Sequence, residues 1–180
     1  WVDWQYMEEN NDQWCTIKGS FSKQTYTKVK NYYVRQQCTR FIKEGYDIVT
    51  SLNNNSLAAV NPSRDTLVVV LINEGTAAVH NIDLSFFEPV KYKYKVRAYR
   101  TSANENLATT TDFKLKNNII TVNIPAQNIM TFVVATKAKD CGVNLKQSER
   151  EYLIIPRHET ERAVSASSAG KVTIQDINVT

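Results

Sequence analysis

Lys91-Tyr92-Lys93-Tyr94-Lys95-Val96-Arg97-Ala98 sets a cation at each odd position and an apolar or aromatic side chain at each even one. A period of two places successive side chains on opposite faces of a strand. Tyr92, Tyr94, Val96 and Ala98 are therefore expected inside, and Lys91, Lys93, Lys95 and Arg97 outside. The same alternation runs through Ala78-His80-Ile82-Leu84-Phe86 and Ile120-Val122-Ile124. Working outward, strands are predicted at 46–52, 56–60, 66–73, 78–87, 91–100, 107–115, 118–124 and 129–136. Turn signals separate them: Asn53-Asn54-Asn55, Asn61-Pro62-Ser63-Arg64-Asp65, Asn73-Glu74-Gly75, Glu88-Pro89 and Asn117-Asn118. Short strands at close, regular intervals predict a mainly β fold, an antiparallel β-sandwich.

The pattern ahead of the sandwich differs. Residues 26–43 hold no Gly or Pro, and Val34, Cys38, Phe41 and Ile42 recur at helical spacing, widened by Val29 and Tyr33. A helix is predicted there, with Lys43 in its last turn and Gly45 just beyond it. Trp1 to Met7 reads as a strand buried on both faces, as in a parallel barrel. After Lys137-Ala138-Lys139-Asp140 the pattern restarts. Tyr152–Pro156 and Lys171–Gln175 are two further predicted strands around a Ser/Ala/Gly-rich turn at 165–170. Three parts follow: 1–45, 46–138 and 139–180.

The 180 residues are 42% hydrophobic and 22% charged, which is ordinary globular composition rather than disorder. The longest apolar run, Leu67 to Ile72, has strand length, far short of the about 18 residues of a membrane span. The net charge of +4 is spread along the chain. Its densest group, the odd-numbered cations of 91–97, reads as a solvated outer face before a phosphate-binding stripe, so no nucleic-acid partner is expected. Cys15, Cys38 and Cys141 form no CxxC pair and His80 and His158 stand far apart, so neither a metal site nor a disulfide framework is expected. Cys38 reads as a core thiol, and His80 as a hydrogen-bonded core or rim histidine before a ligand. A chain opening on Trp1, inside an aromatic stretch, reads as a cut into a longer polypeptide whose export signal would lie upstream.

Glycoside cleavage needs two carboxyl groups flanking the scissile bond. Asp3, Glu8, Glu9 and Asp12 are the only carboxylates clustered near aromatic residues, and none has a visible partner, so no catalytic residue is assigned to this chain. Trp1, Trp4, Tyr6 and Trp14 are a separate signal, because indole and phenol faces suit the C–H faces of a sugar ring as well as they suit a core. For Trp4 the two readings are balanced; for Trp14 packing is favoured. Five glycines form no phosphate loop, there is no GxSxG, and no cofactor is expected.

These residues also carry a resemblance. Trp1-Val2-Asp3-Trp4-Gln5 is similar to the signature ending the eighth barrel strand of glycoside hydrolase family 30, the glucosylceramidase and endo-β-1,6-galactanase group. Thr25-Tyr26 through Tyr32-Tyr33, then Thr39-Arg40-Phe41-Ile42-Lys43-Glu44-Gly45, resembles that family's last barrel helix, and the likeness extends over about residues 1–136. The resemblance implies the end of a (β/α)8 barrel followed by a side sandwich, in a secreted, periplasmic or cell-surface retaining β-glycosidase. The two catalytic glutamates would precede Trp1, in the missing barrel of the same chain. The substrate implied is a polysaccharide of the β-1,6-galactan, β-1,6-glucan or xylan class. Trp4 would line the sugar site with Asp3 as a supporting carboxylate, and Gln5 stands where glucosylceramidase relatives commonly carry asparagine. Glu151-Tyr152-Leu153-Ile154-Ile155-Pro156-Arg157 onward resembles the opening repeat of a ricin-type β-trefoil, which needs three repeats of about forty residues to bury its faces.

Two other readings stand beside the enzyme fragment: a stand-alone carbohydrate-binding module, and a purely structural sandwich. The helix discriminates, since a free-standing sugar-binding sandwich needs none, whereas a barrel's final helix leads directly into a side domain.

Overall fold

The structure, a computed structural model, describes residues 5–10, 13–51, 53–89, 93–138, 162–166 and 172–176. The chain divides into two compact units, Trp1–Lys139 and Asp140–Thr180. In the first, the elements run β1 (Met7–Glu8), β2 (Ile17–Ser20), β3 (Thr25–Lys28), α1 (Lys30–Thr39), β4 (Asp47–Val49), β5 (Ser56–Val60), β6 (Thr66–Asn73), β7 (Ala78–Asp83) and β8 (Phe87–Pro89). They continue with β9 (Lys95–Thr101), β10 (Ala108–Thr110), β11 (Lys114–Lys116), β12 (Ile119–Ile124) and β13 (Asn128–Ala138). The described part of the second unit is an antiparallel hairpin of β14 (Arg162–Ala166) and β15 (Val172–Asp176).

Strands β10-β9-β13-β6-β5-β4 hydrogen-bond in that order into the large sheet, with β8 on the last residues of β13, and β11-β12-β7 form the small one. Every pairing in both sheets is antiparallel. Between them lies one core: Leu67, Val69 and Leu71 of β6, Met130, Phe132 and Val134 of β13, and Ile120, Val122 and Ile124 of β12. The sandwich expectation holds. Tyr94 and Ala98 are buried and Val96 half-buried, while Lys93, Lys95 and Arg97 are exposed; Lys91 and Tyr92 lie outside the described residues.

The uninterrupted run Leu67–Leu71 has its cause here. Its odd members face the small sheet, and Val68 and Val70 face the other way, under Cys38, Phe41, Ile42 and Tyr46. A central strand covered on both faces reads as continuous rather than alternating hydrophobicity.

The helix is shorter than predicted. Thr25–Lys28 is not its first turn but β3, paired antiparallel with β2; Thr25, Tyr26 and Thr27 are strand-favouring residues, and the neighbouring strand satisfies their backbone. At the other end the helix stops at Thr39 rather than 43. The last four carbonyls of a helix need outside partners, and here each finds one. Gln36 accepts Arg40 N at 3.2 Å, Cys38 accepts Ile42 N at 2.9 Å, and Thr39 accepts Lys43 Nζ at 3.1 Å. Gln37 accepts the Thr131 hydroxyl at 2.7 Å. Gly45 is thus no cap of α1; with φ of +80° it belongs to the separate turn that Tyr46 N closes on Lys43 O at 3.2 Å.

The buried position of α1 is also not the predicted one. Val34 is 37% exposed, whereas Gln37 is wholly buried. The surface facing the helix carries hydroxyls: Thr131 Oγ1 also lies 2.6 Å from Gln37 Oε1, sharing one proton between two acceptors, and Gln37 Nε2 donates to Thr101 Oγ1 at 2.8 Å. An amide fits there because both its ends are satisfied.

Other differences are local. Predicted strand 78–87 ends at Asp83, where Ser85 N turns back onto Asp83 Oδ1 at 2.8 Å, and Phe86, expected inside, is 76% exposed. Predicted strand 107–115 is two strands in different sheets, β10 and β11, broken at a corner where Phe113 packs edge-on against Phe132 at 5.7 Å. Asn117 and Asn118, with φ of +50° and +63°, close the β11–β12 hairpin as a two-residue turn of the primed kind. Met7, expected in a strand buried on both faces, is 45% exposed, since among the described residues β1 pairs with β2 alone. In the tail, β15 matches a predicted strand, but its partner is β14; the predicted strand 152–156 lies outside the described residues.

Replacing Thr131 with Val removes the only proton between the two Gln37 oxygens, and denaturant unfolding should show a loss of about 1–3 kcal/mol, the usual cost of a stranded buried acceptor. The pair Gln37→Leu, Thr131→Val should lose less than the sum of the single changes, and strict additivity would show that the two side chains are not coupled.

Candidate functional site

Of the three predicted sugar-contacting residues, Asp3 and Trp4 lie outside the described residues, as do Trp1 and Asp12 of the surrounding cluster. Gln5 is half-buried and enters directly into β1. The next residue fixes the segment: Tyr6 O accepts Thr16 N at 3.1 Å, Ile17 N at 3.0 Å and Thr16 Oγ1 at 2.8 Å. Strand β1 then lies parallel to β2, Met7 beside Ile17 and Glu8 beside Lys18. This pair is parallel, whereas every pairing in the two sandwich sheets is antiparallel. Helix α1 holds the other side, where Val29 N donates to Thr16 O at 3.1 Å and Asn31 Nδ2 to Gln13 O at 2.7 Å.

Around this frame the aromatic residues stand out from the surface. Tyr6 is 60%, Trp14 66%, Phe21 62% and Tyr26 67% exposed. Trp14 therefore does not pack as expected. Its neighbour Cys15 occupies the buried position, and the Trp14 carbonyl lies 3.4 Å from Arg35 Nη2. Of the clustered carboxylates, Glu8 and Glu9 lie among the described residues. Glu9 Oε1 accepts Phe21 N at 3.0 Å, and Glu8 Oε2 is buried with no hydrogen bond among the described residues.

A second polar cluster was not foreseen. Arg100 donates through Nε and Nη2 to both oxygens of Glu105, at 2.7 and 2.8 Å, and through Nη1 to Asp112 Oδ2 at 2.9 Å. Ser102 Oγ adds a bond to Glu105 at 2.9 Å, and Lys30 Nζ, at the start of α1, reaches Ser102 O at 2.7 Å and Asn106 Oδ1 at 2.6 Å. The forked bond from Arg100 is the main reason the Glu105 carboxyl sits below the usual glutamate range, and burial opposes it. The signal was in the sequence: Arg100 continues the inward parity of Tyr94, Val96 and Ala98, and a cation on an inner face needs a carboxylate nearby. All three of its donor nitrogens are engaged, so this cluster ties the helix to the sandwich loop and leaves no free guanidinium.

His80 is half-buried on β7, and its Nε2 has no hydrogen bond among the described residues, so the bonded rim histidine expected there is not what this nitrogen displays. Burial pushes the Cys38 thiol up from its ordinary value. Among the described residues no three His, Cys, Asp or Glu side chains gather to hold a metal, and no helix is long and apolar enough to cross a membrane.

No family model matches the chain. An endo-β-1,6-galactanase of Hypocrea rufa is 25% identical over 139 residues, covering 75% of this chain and 29% of that protein. The GH30 endoxylanase from Clostridium papyrosolvens C71 superposes with a TM-score of 0.52 at 27% identity, over 66% of this chain and 30% of that one. The catalytic domain of GH30 xylanase C from Talaromyces cellulolyticus gives 0.56 at 21% identity, over 72% and 29%, a likeness of fold alone. The chain thus spans about three-tenths of the length of these proteins. In its mainly antiparallel β fold the chain matches the C-terminal part of these glycoside hydrolases. The family to which the chain is related is glycoside hydrolase family 30.

The Arg100–Glu105 bond has a pH signature. Because the folded Glu105 carboxyl is held below its unfolded value, its contribution is complete above the ordinary glutamate pKa and disappears as pH falls through the depressed folded one. The difference in melting temperature between the natural chain and Glu105→Gln should be widest at neutral pH and close in acid; a difference that grows toward low pH would contradict the assignment.

Proposed function

We propose that the chain is the C-terminal accessory part of an exported retaining β-glycosidase that cleaves a polysaccharide of the β-1,6-galactan, β-1,6-glucan or xylan class. The acid/base and nucleophile glutamates belong to the barrel portion, and the sandwich buttresses it. One observation carries this reading: 66% to 72% of the chain follows family 30 enzymes, yet this makes up only 29% to 30% of them. Two local features support it. Strand β1 pairs in parallel as barrel strands do, and α1 is bound to the sandwich through Gln37 and Lys30, which would join a barrel end to its side domain. That wedded helix also favours this reading over a stand-alone carbohydrate-binding or purely structural module. In the whole enzyme Trp4, with Asp3 and Gln5, would line the sugar site at the C-terminal mouth of the barrel. The Asp140–Thr180 unit would be an extension or the first repeat of a carbohydrate-binding trefoil.

The purified chain should give only background release from aryl β-glycosides and from β-1,6-linked glucan or galactan. Turnover that disappears in Glu8→Gln or Glu9→Gln would place the chemistry here and refute the proposal. In the longer protein, Trp4→Ala should lower kcat/KM at least about tenfold with little change in melting temperature. A core tryptophan would instead cost about 3–5 kcal/mol of stability, and a large drop in melting temperature with normal turnover would remove Trp4 from the site.

A further inference from the structure

Asn54-Asn55-Ser56 has the form Asn-x-Ser with a residue other than proline in the middle, the acceptor pattern for N-linked glycosylation. The pattern alone recurs by chance in many chains, so its placement decides whether it can be used. It falls on the turn joining β4 to β5, closed by Ser56 N on Asn53 O at 3.1 Å and by Asn55 N on Asn53 Oδ1 at 2.9 Å. Asn53 and Ser56 hold the turn together, Ser56 Oγ donating to Asn53 O at 2.7 Å. Asn54 is the apex: its residue is exposed, and its amide has no hydrogen bond among the described residues. Asn61-Pro62-Ser63, a few residues on, offers the contrast, because proline in the middle position forbids transfer and Asn61 spends its amide on Asp65 Oδ1 at 2.7 Å.

We propose that Asn54 is an acceptor for an N-linked oligosaccharide. In the transfer, the Asn54 Nδ2 attacks the anomeric carbon of a polyprenyl-diphosphate-linked glycan. The C–N bond forms as the bond from that carbon to the diphosphate oxygen breaks, the amide nitrogen gives up one proton, and polyprenyl diphosphate leaves. The position gives the glycan a use. Strand β4 is the outermost strand of the large sheet and carries Ile48, 61% exposed. A bulky hydrated group at the tip of that hairpin would shield an edge otherwise open to pairing with another chain.

The proposal rests on export through a secretory compartment, so the test supplies that step. The chain is expressed behind a secretion leader in a eukaryotic host, and lumenal and secreted material is deglycosylated enzymatically in heavy-oxygen water, converting each occupied Asn to labelled Asp. Peptide mass spectrometry should find the label at position 54 in most molecules, absent in Asn54→Gln and in Ser56→Ala, and never at position 61. Folded, lumenal chain with an unlabelled Asn54 would overturn the proposal. Export of the natural full-length protein without an added leader is measured separately and bears on the secretion reading alone.

Discussion

Everything in the first unit is arranged around the two-sided burial of β6. Leu67, Val69 and Leu71 require cover on one face, Val68 and Val70 on the other. No single sheet can do both. The small sheet supplies the first cover through Ile120, Val122 and Ile124; α1 and the turn after it supply the second through Cys38, Phe41 and Ile42. At about 1.5–3 kcal/mol for each fully buried aliphatic side chain, these contacts outweigh any single polar interaction in the molecule. The polar interactions do a different task. Gln37, Thr131 and Thr101 decide where along the sheet the helix rests, because an amide buried without its partners would be costly.

Much of this was legible before any coordinates. Strict alternation in 91–98 and 120–124 locates the two inner faces, and the turn residues Asn53–Asn55, Asn61–Asp65 and Asn117-Asn118 separate strands where separations exist. The failures share one cause: a helical or alternating pattern says which residues can be buried, not what awaits them. Val34 fitted an apolar stripe, but the surface opposite carries threonine hydroxyls, so Gln37 went in. Phe86 kept the parity of β7, but Asp83 ended the strand first. Thr25–Lys28 lacks helix breakers, yet β2 offers it hydrogen bonds that a helix start could not.

The candidate site was less legible than the fold, for a physical reason. A sugar site on a barrel is assembled from the ends of several strands, so under the proposed function this chain would hold only a fraction of one. Asp3, Trp4 and Gln5 were picked out by their likeness to a signature, not by geometry within this chain. Conversely, Arg100 with Glu105 and Asp112 was overlooked because both carboxylates stand in loops that no periodicity marks, although the parity of β9 alone points to Arg100. Lys30 joins that cluster's loop to the start of the helix, so these charges lie at the seam between helix and sandwich.

The corner at Phe113 reaches further than its local packing. The chain leaves the large sheet at Thr110 and enters the small one at Lys114, and the ring at the corner rests on Phe132, the largest wholly buried side chain at the centre of the core. The two layers are therefore stitched together by covalent backbone at the place where they are also most tightly interlocked. Neither layer can peel away without dragging a strand of the other with it. Unravelling of one layer therefore pulls directly on the chain of the other through the three residues between Thr110 and Lys114.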